Sequence, residues 1–135
     1  MLLKLVVAAF LLGHAAIHAS FLAPRPAATA GGPEWPFELG HSWLLSPLGL
    51  DAEATRILGI GLVAAILAGY AVAGLAAIGI LPDGVWTGAV VLGSLASITL
   101  LALFFHPWLV IGFAIDAALL WLALAWRWTP SMLVG

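Results

Sequence analysis

Four long stretches of the chain are almost purely apolar, and none alternates apolar and polar positions as a half-buried strand does. They cover residues 2–22, 57–81, 85–105 and 108–126. Each is close to the roughly 20 residues that cross a hydrocarbon core of about 30 Å at about 1.5 Å rise per residue. In lipid a segment must satisfy its own backbone hydrogen bonds, which a single helix does and a single strand does not. The pattern predicts an all-α protein, an integral membrane antiparallel four-helix bundle. Residues 1–135 form one membrane domain.

The only long connection is residues 23–55. Its first part, from Pro24 to Pro33, is a Pro/Gly/Ala linker without periodicity. Residues 34–45 mix Trp35, Phe37 and Trp43 with Glu34 and Glu38. That mixture suits an interfacial segment, because amphipathic rings settle at the membrane surface. Ser46-Pro47 has the chemistry of a helical start, and Asp51 that of an N-cap for the second span, with Glu53 in its first turn. A rival reading makes residues 1–30 a cleaved signal peptide, with Lys4 ahead of the apolar run and Ala28-Thr29-Ala30 as the cleavage site. The run from Leu5 to Leu22 exceeds the usual length of about 7–15 residues and contains His14 and His18, so a retained span is expected.

Composition sharpens the class. The chain is 64% hydrophobic and 7% charged, with a mean hydropathy of +1.20. It has no cysteine, which excludes disulfides, thiolate metal sites and cysteine nucleophiles. A net charge of −2 with four Lys and Arg excludes nucleic acid as a partner and leaves membrane lipids. Lys4 and Arg127 fall on the terminal side of the spans, Arg25 and Arg56 on the other. The count is tied. Lys4 precedes the first span, which points to cytoplasmic termini in a multi-pass protein of the bacterial inner (plasma) membrane. Richness in Ala, Leu, Gly and Trp beside a single Lys fits a high-GC bacterium.

Span two carries Gly61, Ala65, Gly69, Ala73 and Ala77 at a strict spacing of four, and span three carries Ala89, Gly93 and Ser97. Such stripes let helix backbones approach closely. Two uses stand: packing within the bundle, or an interface with a second copy or a membrane-complex partner. No internal repeat relates the halves, so an inverted-repeat transporter is not supported.

The chemistry centres on Asp116, the one carboxylate within residues 108–126. A charge at bilayer depth costs about 2.5–3.5 kcal/mol and usually faces protein or a polar cavity. Asp116 lies eight residues inside Trp108 and His14 eight residues inside Leu22, so both sit about 12 Å below the same, loop-one face. His18 shares the helical face of His14 one turn nearer that surface. His106, in the His106-Pro107 turn, and His41, in the long loop, belong to the same side. His14, His18, His106 and Asp116 are therefore the candidate ligand-binding or proton-linked residues, with Tyr70, Ser94, Ser97, Glu38 and His41 as possible lining. His14 and His18 with His106, His41 or Asp116 also form a donor set for zinc or copper. Haem suits it less, since His14 and His18 share one face. The structural alternatives are that Asp116 is interhelical glue and that His106 caps the end of the third helix. Thr99 has the option of bonding its own preceding carbonyl, and Trp121 reads as core packing among Trp residues that otherwise mark span ends. No phosphate loop or nucleophile elbow is present.

The segment FFHPWLVIGFAIDAALL, together with SWLLSPLG in the long loop, resembles small four-span membrane proteins of high-GC bacteria. The resemblance implies a membrane bundle and brings no activity. The small multidrug transporters carry a Glu in the first span where this chain has His14, and the Asn/Phe patterns of fluoride channels are missing. Three functions are expected: a polar His/Asp pocket open to the loop-one face that binds a lipid headgroup, a quinone-like ligand or protons; a non-catalytic accessory subunit of a membrane complex; or a His-rich zinc or copper protein.

Overall fold

A computed structural model describes residues 1–27, 30–32 and 34–133 of the protein. Ala28, Thr29 and Pro33 lie outside the described residues, and with them most of the Ala28-Thr29-Ala30 cleavage motif and part of the linker. Among the described residues the structure is helical without strands. Helix α1 (Leu2–Ala19) runs on through a tight turn, Ser20–Leu22. It is followed by α2 (Ala52–Ala77), α3 (Trp86–Leu103) and α4 (Val110–Leu124). Four segments are long and apolar enough to cross a membrane: Leu2–Leu22, Ala52–Ala77, Asp83–Leu103 and Pro107–Leu124.

The helix ends follow capping chemistry rather than hydropathy. α2 begins at Ala52, ahead of the apolar run at 57, because the Asp51 carboxylate accepts the Ala54 N–H at 2.8 Å. It stops at Ala77 rather than 81 because Gly79 turns left-handed (φ +82°), so that the Ile80 N–H reaches back to the Leu75 carbonyl at 2.9 Å. α4 ends in the same way, with Arg127 at φ 50° and the Trp128 N–H on the Leu122 carbonyl. Arg127 holds that conformation without glycine's freedom. His106 does not cap the end of α3 as a cation. Its Nδ1 accepts the Trp108 N–H at 3.3 Å, which requires a lone pair there and makes it an N-cap for the Pro107–Leu109 turn.

α2 packs along both α1 and α3, and α3 packs against α4. α1 and α4 share no comparable backbone packing. The α2–α3 contact is backbone on backbone: a Cβ on Gly69 would stand 2.7 Å from the Gly93 nitrogen. Gly93 in turn leaves room for the Tyr70 ring, which a Cβ there would meet at 3.1 Å. The small stripe thus faces inward at Gly69, Ala73 and Ala77, whereas Gly61 is exposed with nothing near it. Trp121, expected in the core, is 57% exposed and lies tilted against Trp126. The inward stripe of α4 is narrow, its buried residues being Asp116 and Ala123.

The long loop is tied down by side chains. Leu39 is buried against Gly59, where a Cβ would come 2.6 Å from its Cδ2. Phe37 sits edge-on to both Phe21 and Trp35. The Ser42 hydroxyl donates to the Leu103 carbonyl at 2.5 Å, and the Trp43 indole N–H donates to the Ala102 carbonyl at 2.7 Å. These two bonds satisfy carbonyls that the last turn of α3 leaves without intrahelical partners. A turn follows from Ser42, whose hydroxyl also accepts the Leu45 N–H, and a further one starts at Ser46, whose carbonyl accepts the Gly49 N–H at 3.1 Å.

Candidate functional site

Asp116 makes hydrogen bonds to one side chain from each of the other three helices. Its Oδ1 accepts from the Tyr70 hydroxyl of α2 and from His14 Nε2 of α1, the latter at 2.9 Å. Its Oδ2 is bonded to the Ser97 hydroxyl of α3. Ser97 Oγ also lies 2.6 Å from His18 Nε2, and Ser94 Oγ lies 3.0 Å from the Tyr70 hydroxyl. Asp116, Tyr70, Ser94 and Ser97 are fully buried, and His14 and His18 nearly so. Helical geometry sets this arrangement: the i, i+4 spacing stacks His14 and His18 on one face of α1, and Ser94 and Ser97 share the i, i+3 face of α3.

The contacts around Ser97 admit two arrangements of hydrogens. A carbonyl only accepts, so His18 Nδ1, 3.0 Å from the His14 carbonyl, carries a hydrogen. If His18 is neutral, its Nε2 is a lone pair and Ser97 donates to it. The Ser97–Asp116 bond then needs a proton on the carboxyl. If Ser97 donates to Asp116 instead, His18 Nε2 must donate and the imidazole is a cation. Where both Ser97 contacts are hydrogen bonds, the two arrangements hold the same number of hydrogens and differ by two short transfers through the hydroxyl. Tyr70 donates to Asp116 in both, so Ser94 donates to Tyr70.

The other sequence candidates lie elsewhere. His106 is half-buried in its turn, beside Trp108. His41 is exposed. Glu38 is exposed, accepts the Gly40 N–H and lies 3.9 Å from Arg25. Thr99 bonds the Leu95 carbonyl on its own helix. The donor atoms of His14, His18 and Asp116 all lie within 4.8 Å of one another, a spacing at which one ion is reachable from all three.

A cavity of about 680 Å³ adjoins the cluster, with His14 and His18 in its wall. Its other walls are largely apolar and aromatic, formed by Phe21, Phe37 and Ile115 with Trp35 of the loop. Arg25 and Glu34, both exposed, also border it. The Trp35 indole nitrogen is buried without a hydrogen-bond partner among the described residues. Sequence reading put Trp35 in the interfacial segment 34–45, and the structure places it in the cavity wall. The signal available was a Trp set between Glu34 and Pro36, a restrained backbone in an otherwise featureless loop. No protein-family model, curated protein or solved structure matches this chain, and the chemistry of the site is read from its own geometry.

Proposed function

We propose that the chain is an antiparallel four-helix bundle of the bacterial inner membrane, with cytoplasmic termini, that binds a quinone-like ligand in the His14/His18/Trp35 cavity and exchanges a proton with it. The observation that carries this reading is the hydrogen-bonded chain Asp116–Ser97–His18 beside a cavity of ligand size. A flat ring with carbonyl acceptors suits aromatic walls and the unpartnered Trp35 N–H. His18 lies at the cavity wall, and it passes a proton to such a carbonyl only by releasing its Nδ1–H from the His14 carbonyl or its Nε2 from Ser97. A lipid headgroup is the competing occupant, and the test separates the two.

The test is to titrate purified protein with a short-chain quinone analogue in weakly buffered solution, following tryptophan quenching and a pH-indicator dye together. Saturable quenching with a change in bound protons is expected, and D116N is expected to keep the quenching and lose the proton change. Absence of saturable quenching, or quenching equally strong with a soluble glycerophosphate headgroup, sinks the reading.

A metal reading is favoured by one separate observation, the convergence of the His14, His18 and Asp116 donors. Nitrogen and oxygen donors in that number fit zinc or copper. Binding would displace the hydrogens now shared among the three side chains. Elemental analysis of protein loaded with zinc or copper and then dialysed decides it: a stoichiometric ion lost in H14A supports this reading, and no retained ion removes it.

A further inference from the structure

A second cavity, of about 400 Å³, lies at the opposite end of the gap between α1 and α4. It is walled by Val6, Phe10 and Leu11 of α1 and by Leu119 and Leu122 of α4, and it is closed by Trp86 and Trp128. The walls are apolar but for these indoles. Trp86 is 2% exposed, and its Nε1 is buried with no hydrogen-bond partner among the described residues. The Trp128 ring stands edge-on to it, with centroids 5.2 Å apart, which fixes the ring plane but offers no oxygen acceptor. A buried N–H without a partner costs about 1–3 kcal/mol. A ligand that carries an acceptor at this level and an apolar body below it removes that cost once the indole turns its N–H, which has no exposed surface in the structure, toward the cavity.

Position identifies the ligand class. Trp86 opens α3 and Trp128 follows α4, so both indoles stand at the terminal-side end of the spans, the depth at which glycerol ester carbonyls lie in a bilayer. From there the cavity runs inward to Phe10 and Leu119. Lys4 begins α1 and Arg127 sits between Trp126 and Trp128, placing two cations at that end, with Asp83 as the one acidic residue there. The helices themselves leave the gap open, since α1 and α4 lack extended backbone packing.

We infer that this cavity holds one acyl chain of a diacyl phospholipid from the terminal-side leaflet, with an ester carbonyl accepting from Trp86 Nε1. The lipid supplies the apolar contact between α1 and α4 that the protein does not make. This site is independent of the quinone-like reading and shares no lining residue with the His14/His18 cavity.

Native mass spectrometry of the full chain in mild detergent, delipidated and then offered phosphatidylglycerol, tests it. Wild type is expected to take up one phospholipid. W86F and V6W, the second of which fills the cavity from an exposed position of α1, are each expected to lose at least tenfold in occupancy with unchanged helical content by circular dichroism. Saturating the His14/His18 cavity with the short-chain quinone analogue is expected to leave the lipid occupancy unchanged, which keeps this outcome separate from the first cavity. No bound phospholipid in wild type, equal occupancy in V6W, or uptake of oleic acid in preference to phospholipid overturns the proposal. If W86F fails to fold, V6W alone decides.

Discussion

His14 Nε2 and Asp116 Oδ1, 2.9 Å apart, form the one hydrogen bond that joins α1 to α4 among the described residues. The two helices otherwise face each other across cavities at either end. The Phe10 ring lies parallel to the His14 imidazole and lines the terminal-side cavity, so the polar contact and its aromatic neighbour together separate the two spaces. α4 packs along α3 but has little else to hold it to α1. Asp116 is therefore both the chemical centre of the cluster and the attachment point of the fourth helix.

Replacing that carboxylate by an isostere and by a hydrocarbon separates the two roles. D116L leaves the Tyr70 hydroxyl, His14 Nε2–H and the Ser97 hydroxyl without their acceptor. At about 1–3 kcal/mol for each buried group stranded, a large loss of stability is expected. D116N keeps one acceptor oxygen and is expected to lose roughly half as much. Thermal unfolding in detergent, with protease cutting of α4 as a second readout, checks the order. D116L as stable as wild type would mean that the carboxylate anchors nothing.

The close approach of α2 and α3 makes Gly69 intolerant of any side chain. A Cβ there meets backbone atoms of Gly93 and Ala89 at 2.7–2.9 Å, and backbone cannot rotate away. G69A is expected to cost about 1–3 kcal/mol by overpacking. G61A, in open surroundings, is expected to be neutral in the monomer. A matched pair of melting curves decides. The same pair probes partner binding: loss of self-association in G61A with an unchanged monomer would show that the outward end of the stripe is an interface.

The loop-to-helix bonds at the end of α3 predict local rather than global effects. W43F removes the indole N–H from the Ala102 carbonyl, and S42A removes the hydroxyl from the Leu103 carbonyl. Each loss is worth about 0.5–1.5 kcal/mol. Hydrogen exchange at the Phe104 amide, which closes the last turn on Leu100, is expected to quicken several-fold in both variants. The amide of Leu95, deep in the same helix, is expected to be unchanged.

The cluster was legible wherever helix geometry carries across the membrane. A fixed rise per residue put His14 and Asp116 at one depth, and the i, i+4 rule put His18 on the face of His14. Tyr70, Ser94 and Ser97 were visible as the polar residues of otherwise apolar spans, and they bond into the cluster. What periodicity does not reach stayed hidden. Ser42 and Trp43 cap α3 through a loop with no repeat to read. His106 carried the right chemistry on the right side of the chain, but side is a one-dimensional statement and its Nδ1 is occupied in its own turn. Trp121 was misplaced because a hydrophobic span in lipid has apolar residues on all faces, and hydropathy does not mark the inward one.

Ser97 gives the sharpest test of the relay, because it carries the proton path without being a strong acid or base itself. Its hydroxyl is the link between Asp116 Oδ2 and His18 Nε2. S97A keeps both titratable groups and cuts the path between them. S97T keeps a hydroxyl at the same Cβ and so preserves the path wherever the added methyl finds room. If the three groups share one proton, S97A is expected to abolish the proton change on binding of a quinone analogue while its tryptophan quenching persists. S97T is expected to restore the proton change. Loss of stability alone would move both variants in step with their melting temperatures, so the proton count is compared at matched folded fraction. An S97A protein that still exchanges a proton at wild-type stoichiometry would show that Asp116 and His18 act separately, and the cluster would then be an anchor for α4 and no relay.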